Sequence, residues 1–345
     1  MGQSLRAGII GAGWPGGKHA EGYTEAGGFK VAAVADLIPQ RRQRIMSEYG
    51  AKEYADAFEL IRDRDIDVVS VCLPTHLHAP VTIAALKSGK HVICEKPPAM
   101  SANEAKKIQS AAEKAKKVVL YSLQRRFGGA EQAAKQAIVK GFAGEVYHAR
   151  ASWMRTRGIP IGTGGWFLDK SKSGGGALID IGVHMLDLAW YLLGQPKPAT
   201  AFGITHQKSR SLMSDRTFDV EDGAFAMIRF EDGKSLELST SWALNQPPQQ
   251  QGNTVRVFGD EAAIDVYTAQ GATIYRGFTE KGDSRASVLK PPKIVSHAAL
   301  MRHFKECIAG KAKPVPGANE GIVLMQMVDA IYRSSAGGKS VEIKG

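Results

Sequence analysis

Three groups of residues in this chain have types and spacings that suit chemistry. The first is Glu95-Lys96-Pro97, which follows the short apolar run His91–Cys94. If that run is a strand, the tripeptide sits at its carboxyl end, the edge at which open α/β sheets bind ligands. A lysine there can donate hydrogen bonds to a substrate oxygen, and a proline can lock the turn that aims it. The second group is Gly11-x-Gly13-x-x-Gly16. Glycines at that spacing let a pyrophosphate approach the backbone at a helix N-terminus. The third is Asp180 with His184, behind Gly174-Gly175-Gly176. Four apart on a helix, they share one face. An imidazole can take a proton from an alcohol near neutral pH, and a nearby carboxylate raises its basicity. Taken alone, His184 reads equally as a satisfied core histidine and Asp180 as a helix cap.

The elements that must position these groups follow from periodicity. Leu5–Ile10 is an apolar strand that runs into the glycine loop, with a helix through His19 to Ala26 behind it. Phe29–Ala35 is a second strand, and Asp36 ends it about twenty residues beyond the glycines, where a carboxylate accepts bonds from the adenosine ribose and repels a 2′-phosphate. That favours NAD over NADP, while Arg41 and Arg42 a turn later keep NADP open. Ile66–Leu73, His91–Cys94 and Val118–Leu123 are further strands, and Ser101-Ala102-Asn103-Glu104 opens a lysine-rich helix as a capping box. This alternation predicts a doubly wound parallel sheet. Leu73-Pro74-Thr75-His76-Leu77-His78 follows a strand's carboxyl end, so it reads as dinucleotide contact rather than a metal pair.

Beyond about residue 145 the period changes. Glu145–Trp153, Ala199–His206, Gly223–Phe230, Ser235–Trp242, Thr254–Phe258 and Ala262–Val266 read as strands of a mainly antiparallel sheet. One long helix, from about Ile181 to Leu193, packs on it, and Ala298–Ala309 and Asn319–Ser334 close the chain as helices. The interval from Arg155 to Gly176 is glycine-rich and too long for a plain connection, so it is expected to line a site.

Length and composition set bounds. The chain has 345 residues, which suggests two domains. Its 43% apolar and 23% charged content is that of a soluble globular protein. No run is long enough to span a bilayer, and Met1 to Ile10 lacks the form of a signal peptide. Cys72, Cys94 and Cys307 are scattered and suggest a reducing cytoplasm. The net charge of +11 is dispersed, with no nucleic-acid-binding motif beside it, so no nucleic-acid partner is expected.

The glycine loop, Glu95-Lys96-Pro97 and the Gly175-Gly176-x-x-x-Asp180-x-x-x-His184 block, in this order, resemble the glucose–fructose oxidoreductase/inositol dehydrogenase (Gfo/Idh/MocA) family over nearly the whole chain. The resemblance implies an α/β protein: a Rossmann domain, here 1–123, and an α/β domain, here 124–345, with a large, mainly antiparallel open sheet often used for oligomerisation. A homodimer or homotetramer is therefore expected. It implies that Lys96 orients the substrate hydroxyl, that Lys96-Pro97 is cis, that Asp180 binds substrate and that His184 accepts the proton. NAD is the implied cofactor, bound by Gly11, Ala12, Gly13, Trp14, Gly16, Asp36, Leu73, Pro74, Thr75, His78, Glu95, Lys96 and Arg125, and the chemistry requires no metal. Arg155 to Pro160 with Gly165-Trp166-Phe167-x-Asp169 resembles branches acting on glucosides, anhydrosugars or inositols. There Trp166 covers a sugar face, Asp169 binds hydroxyls and Arg157 reaches hydroxyls or a carboxylate, against the reading of a surface loop with a structural aromatic. Gln124-Arg125-Arg126-Phe127 resembles a family segment in which Arg125 contacts cofactor or substrate. The implied activity is an NAD-dependent sugar or polyol dehydrogenase, with redox-neutral glycoside cleavage and a non-catalytic dinucleotide sensor as alternatives.

Overall fold

A computed structural model describes residues 4–278 and 284–344. In chain order the first elements are β1 (Leu5–Ile10), α1 (Trp14–Ala26), β2 (Phe29–Ala35), α2 (Pro39–Tyr49), β3 (Lys52–Tyr54), α3 (Ala57–Arg62), β4 (Val68–Val71), α4 (His78–Lys87), β5 (His91–Cys94), α5 (Ala102–Ala115) and β6 (Val119–Tyr121). The six strands pair in parallel in the order β3-β2-β1-β4-β5-β6. The order reverses between β1 and β4, and that switch point opens a crevice at the carboxyl ends of the strands. All four residues of β4 are buried, as a strand covered on both faces must be. At α5, Ser101 Oγ accepts from the Glu104 N–H at 3.3 Å. The Glu104 carboxylate returns to the Met100 N–H at 3.1 Å, one residue earlier than in the standard box.

The second stretch holds α6 (Gly129–Val139), β7 (Val146–Met154), α7 (Lys170–Ser173), α8 (Val183–Leu192), β8 (Pro198–His206), β9 (Gly223–Phe230), β10 (Ser235–Ser241), β11 (Gly252–Gly259), β12 (Ala262–Thr268), β13 (Gly271–Phe278) and β14 (Ser284–Val288). Then come α9 (Ser296–Ile308), α10 (Ala318–Gly337) and β15 (Val341–Glu342). Nine strands form one sheet in the order β14-β13-β12-β11-β7-β10-β9-β8-β15. Its pairs are antiparallel except β7 with β10. One face is covered by α8, where Met185, Leu186, Leu188, Ala189 and Leu192 are wholly buried. Strands β13 to β15 escape the sequence reading because they lie at the ends of the sheet. In β14, for instance, Arg285 to Val288 are all exposed, so pairing rather than burial makes the strand.

The chain divides into two compact units, but not at 123/124. One unit comprises 1–127 with 294–325, the other 128–293 with 326–345. The contiguous division expected from sequence fails because α9 belongs to the first core. Its Leu300, Met301 and Phe304 are wholly buried against Ala20 and Tyr23 of α1 and Ile9 of β1. Among the described residues no helix is long and apolar enough to cross a membrane. Truncating the central ring of this added layer, Phe304→Ala, is expected to cost about 3–5 kcal/mol. Chemical denaturation followed by a probe in the first unit measures that loss.

Candidate active site

In the first unit the glycine loop is dictated by space. Gly11 has φ +90°, and a Cβ there would lie 2.2 Å from the Cys72 carbonyl oxygen. A Cβ on Gly16 would lie 2.0 Å from the Gly11 carbonyl oxygen. Gly13 has no such neighbour: its nearest is Pro15 Cδ at 3.7 Å, so its open side faces space a ligand can use. Gly13 is also the N-cap of α1, with no side-chain cap and no acidic residue in the first turn. The first N–H groups and the positive end of the helix are thus left to a phosphate. Trp14 stands 69% exposed beside them.

Asp36 lies beside this loop. Its Oδ2 accepts from the Ala12 N–H and its Oδ1 from the Ile38 N–H, each at 2.8 Å. Arg41 reaches to 4.0 Å from Oδ2. Arg42 turns away, to the Asp36 carbonyl oxygen and the Glu53 carboxylate. These residues fit a dinucleotide: a cradle only glycine permits, uncapped amides and a carboxylate fixed beside them.

The Lys96–Pro97 peptide is cis. Two residues expected among the cofactor contacts serve this turn instead. His78 is buried, and its ring nitrogens meet the carbonyl oxygens of Pro97 and Leu73, both at 2.8 Å. It therefore ties the loop after β4 to the turn after β5. Glu95 is buried beneath the turn, where Oε1 lies 3.0 Å from His19 Nε2 and Oε2 accepts the Lys96 N–H at 3.2 Å. Burial would raise this carboxyl. The His19 hydrogen bond and charge, the Lys96 charge and Ser122 outweigh it and hold it at about 2. Thr75 is buried, Leu73 and Pro74 are half-buried, and Arg125 lies in the turn Gln124–Phe127 beside a buried Arg126.

In the second unit the glycine run makes room for a buried carboxylate. Glu221 accepts from the N–H groups of Gly176 (2.9 Å) and Leu178 (3.0 Å) and from the Tyr332 hydroxyl (2.9 Å). A Cβ on Gly175 would lie 2.0 Å from that hydroxyl, and one on Gly176 would lie 1.8 Å from the Glu221 carbonyl oxygen. Burial lifts the Glu221 carboxyl above its ordinary range, against the lowering effect of these donors. From this anchor the chain enters a π turn, Leu178–Gly182, which carries Asp180 and passes into α8 with His184 in its first turn. Widened turns of this kind recur at functional sites. Asp180 is 8% exposed and His184 6%. Asp180 Oδ2 accepts from the indole N–H of the wholly buried Trp242 at 2.9 Å. The Trp153 ring lies 5.9 Å from the His184 ring, and the Arg155 guanidinium lies 5.1 Å over Trp153.

The 155–176 loop treats its candidates unequally. Trp166 stacks on Phe167, with centroids 3.8 Å apart. Arg157 donates to the Thr156 carbonyl oxygen and to Asn245 Oδ1 at 2.9 Å. Asp169, expected to bind hydroxyls, caps α7: it accepts from the Ser171 N–H at 3.0 Å and pairs with Lys172 at 2.7 Å. Lys172 and then Ser171 hold its carboxyl below the ordinary range. Glu221, Tyr332, Trp242, Trp153 and His19 escape sequence reading. Each acts through a partner far along the chain, and no local spacing marks such a pair.

Comparison with known proteins places the chain among oxidoreductases. The profile described as "Oxidoreductase family, NAD-binding Rossmann fold" (GFO_IDH_MocA) matches residues 5–123. The GFO/IDH/MocA C-terminal domain matches residues 132–265. The D-glucoside 3-dehydrogenase of Escherichia coli K12 is 34% identical over 354 aligned positions, covering 98% of this chain and 97% of that protein. The scyllo-inositol 2-dehydrogenase (NAD(+)) of Bacillus subtilis is 27% identical, covering 99% and 97%. Among solved structures, levoglucosan dehydrogenase in complex with NADH superposes with a TM-score of 0.88 at 24% identity, covering 99% of this chain and all of that one (100%).

The Trp242 indole is the buried donor that fixes Asp180. Its loss in Trp242→Phe removes a hydrogen bond to a charged group, which is worth about 1.5–3 kcal/mol. A kcat at least about tenfold lower for an alcohol substrate is expected, with the near-ultraviolet circular dichroism retained.

Proposed function

The chain belongs to the Gfo/Idh/MocA oxidoreductase family, and from that premise we propose that it oxidises a secondary hydroxyl of a sugar, glycoside, anhydrosugar or inositol. The observation that carries this reading is the Asp180–His184 turn, buried and anchored from below by Trp242 and Glu221. A carboxylate and an imidazole held in that way suit a substrate hydroxyl pair. The likeness to a D-glucoside 3-dehydrogenase makes glucosides the first substrates to test.

When bound, the dinucleotide supplies the hydride acceptor for the carbinol C–H. Lys96 donates a hydrogen bond to the reacting oxygen and stabilises the charge that develops on it. His184 takes the hydroxyl proton, so a ketone, a reduced cofactor and an imidazolium balance the step. Asp180 accepts from a neighbouring hydroxyl and favours the imidazolium. Gly11, Gly13 and Gly16 offer the phosphate cradle and Asp36 the ribose contact, which favours NAD over NADP. Trp166 and Arg157 are proposed to border the sugar. Trp153 joins them, because its ring already meets His184.

A panel of glucosides, inositols, anhydrosugars and uronic acids with NAD⁺ or NADP⁺, followed by absorbance of the reduced cofactor, tests this. Turnover with NAD⁺ is expected, falling by about 10²–10⁴ in Lys96→Ala and in His184→Ala. Release of sugar from a glycoside without net NADH would move the assignment to redox-neutral cleavage. Dinucleotide binding with no turnover of any kind would leave a sensor.

We also propose a homo-oligomer, with a second copy on the sheet face opposite α8. Phe202, Ile204, Met227 and Tyr147 are each more than two-fifths exposed there. Phe202 pairs with Met227, Met227 with Glu237, and Glu237 with Arg150, so apolar and charged groups alternate across the face. A face of that composition suits a self-complementary contact. Native mass spectrometry is expected to show a dimer or tetramer, and Met227→Arg a shift toward monomer. The three free thiols are consistent with a reducing cytoplasm.

A further inference from the structure

Three side chains from distant parts of the first unit converge beneath the Lys96 turn. His19 lies in α1, Glu95 follows β5, and His297 lies in the first turn of α9. One ligand atom from each lies within 4.8 Å of the other two. Their approach has a steric cause. A Cβ on Gly22 would lie 3.1 Å from His297 Cβ, so the missing side chain lets α9 close on α1 one turn from His19. The two imidazoles then stand 6.0 Å apart between centroids.

The geometry points to a transition-metal site at His19, Glu95 and His297, taking a divalent cation of the zinc and cobalt class with water as the fourth ligand. The donor set, two imidazoles and one carboxylate, is the borderline set such ions prefer. His19 Nε2 and Glu95 Oε1 are 3.0 Å apart, close to the roughly 3.3 Å edge of a tetrahedron with metal–ligand bonds near 2 Å. His297 must travel farther, and it is the half-exposed member, so the ion enters from its side.

The partners behind these ligands also suit a metal. His19 Nδ1 meets Ser70 Oγ at 2.9 Å, and Ser70 Oγ meets the Tyr23 hydroxyl at 2.9 Å. On metal binding the His19 proton resides on Nδ1 and is donated to Ser70, which rotates its own proton toward Tyr23. The Nε2 lone pair then turns to the ion in place of Ser122 Oγ, which lies 3.2 Å from it. Orientation of a ligating histidine through its second nitrogen is the usual way such sites are held. A metal on Oε1 draws charge from the carboxylate whose Oε2 accepts the Lys96 N–H, so occupancy should inhibit.

Cobalt(II) titration of chelator-treated full-length protein tests the site. The expected result is visible absorption of four- or five-coordinate cobalt that saturates at one ion per chain and is displaced by zinc. His297→Ala and His297→Phe, the second keeping ring volume against Gly22, are expected to lose that absorption. No saturable spectrum, or an unchanged one in both variants, overturns the site and leaves His19 and Glu95 as a purely structural pair. Turnover rests on the function proposed above and is read separately. It is expected to fall as cobalt fills the wild type and to be insensitive to cobalt in both His297 variants. Turnover indifferent to occupancy overturns the inhibition. A chain with no turnover on any substrate defeats the proposed function and leaves the spectroscopic test intact.

Discussion

Glu95 is taken out of water at the end of β5 and must be met by donors, because an unpaired carboxylate at that depth costs several kcal/mol. The donors it finds are His19 from α1 and the Lys96 N–H from its own turn. Much of the nucleotide-binding unit follows from that requirement. His19 has to stand on the inner face of α1, which sets the rotation of the helix whose first turn is left without a side-chain cap. Ser70 and Tyr23 then hold the second nitrogen of His19. His78 clamps the loop after β4 to the carbonyl of Pro97 from the other side. A lysine at the end of a four-residue strand would otherwise wander. Here its backbone is held by a buried carboxylate below and a histidine bridge beside it.

The second unit solves its positioning problem in the same way with different residues. Glu221 is buried, satisfied by two backbone N–H groups and a tyrosine hydroxyl, and Gly175 and Gly176 stand where the Tyr332 hydroxyl and the Glu221 carbonyl oxygen leave no room for a Cβ. The chain leaving this anchor is forced into a π turn, which puts Asp180 under the Trp242 indole and starts α8 at the residue before His184. In both units the candidate side chains are carried by a turn that lies beside a buried carboxylate. Polar groups placed this way rigidify a site because every alternative arrangement leaves one of them unpaired.

Other polar residues of the second unit are held by their own neighbours. Asp169 caps a four-residue helix and pairs with Lys172, and Arg157 ties its loop to Asn245. Trp153, at the end of β7, was not singled out by pattern. Yet it touches His184 and is covered by Arg155. Helical and strand periodicity place a residue on a face, but they do not say which loop will fold back over that face.

The amino-acid sequence by itself determined the local features of this protein. The glycine spacing after β1, the carboxylate after β2, the lysine before a proline and the Asp180–His184 spacing are all short-range patterns. The same holds for strands such as Phe29–Ala35 and Gly223–Phe230, whose bounds match the folded chain residue for residue. Only the tertiary structure decided the rest. It assigned α9 to the first core, joined β7 to β10 in parallel, and brought His19 to Glu95 and Trp242 to Asp180. Those pairings span 76 and 62 residues. Partners that far apart are selected by burial and by the need to satisfy buried charge, and neither has a period that a sequence can display.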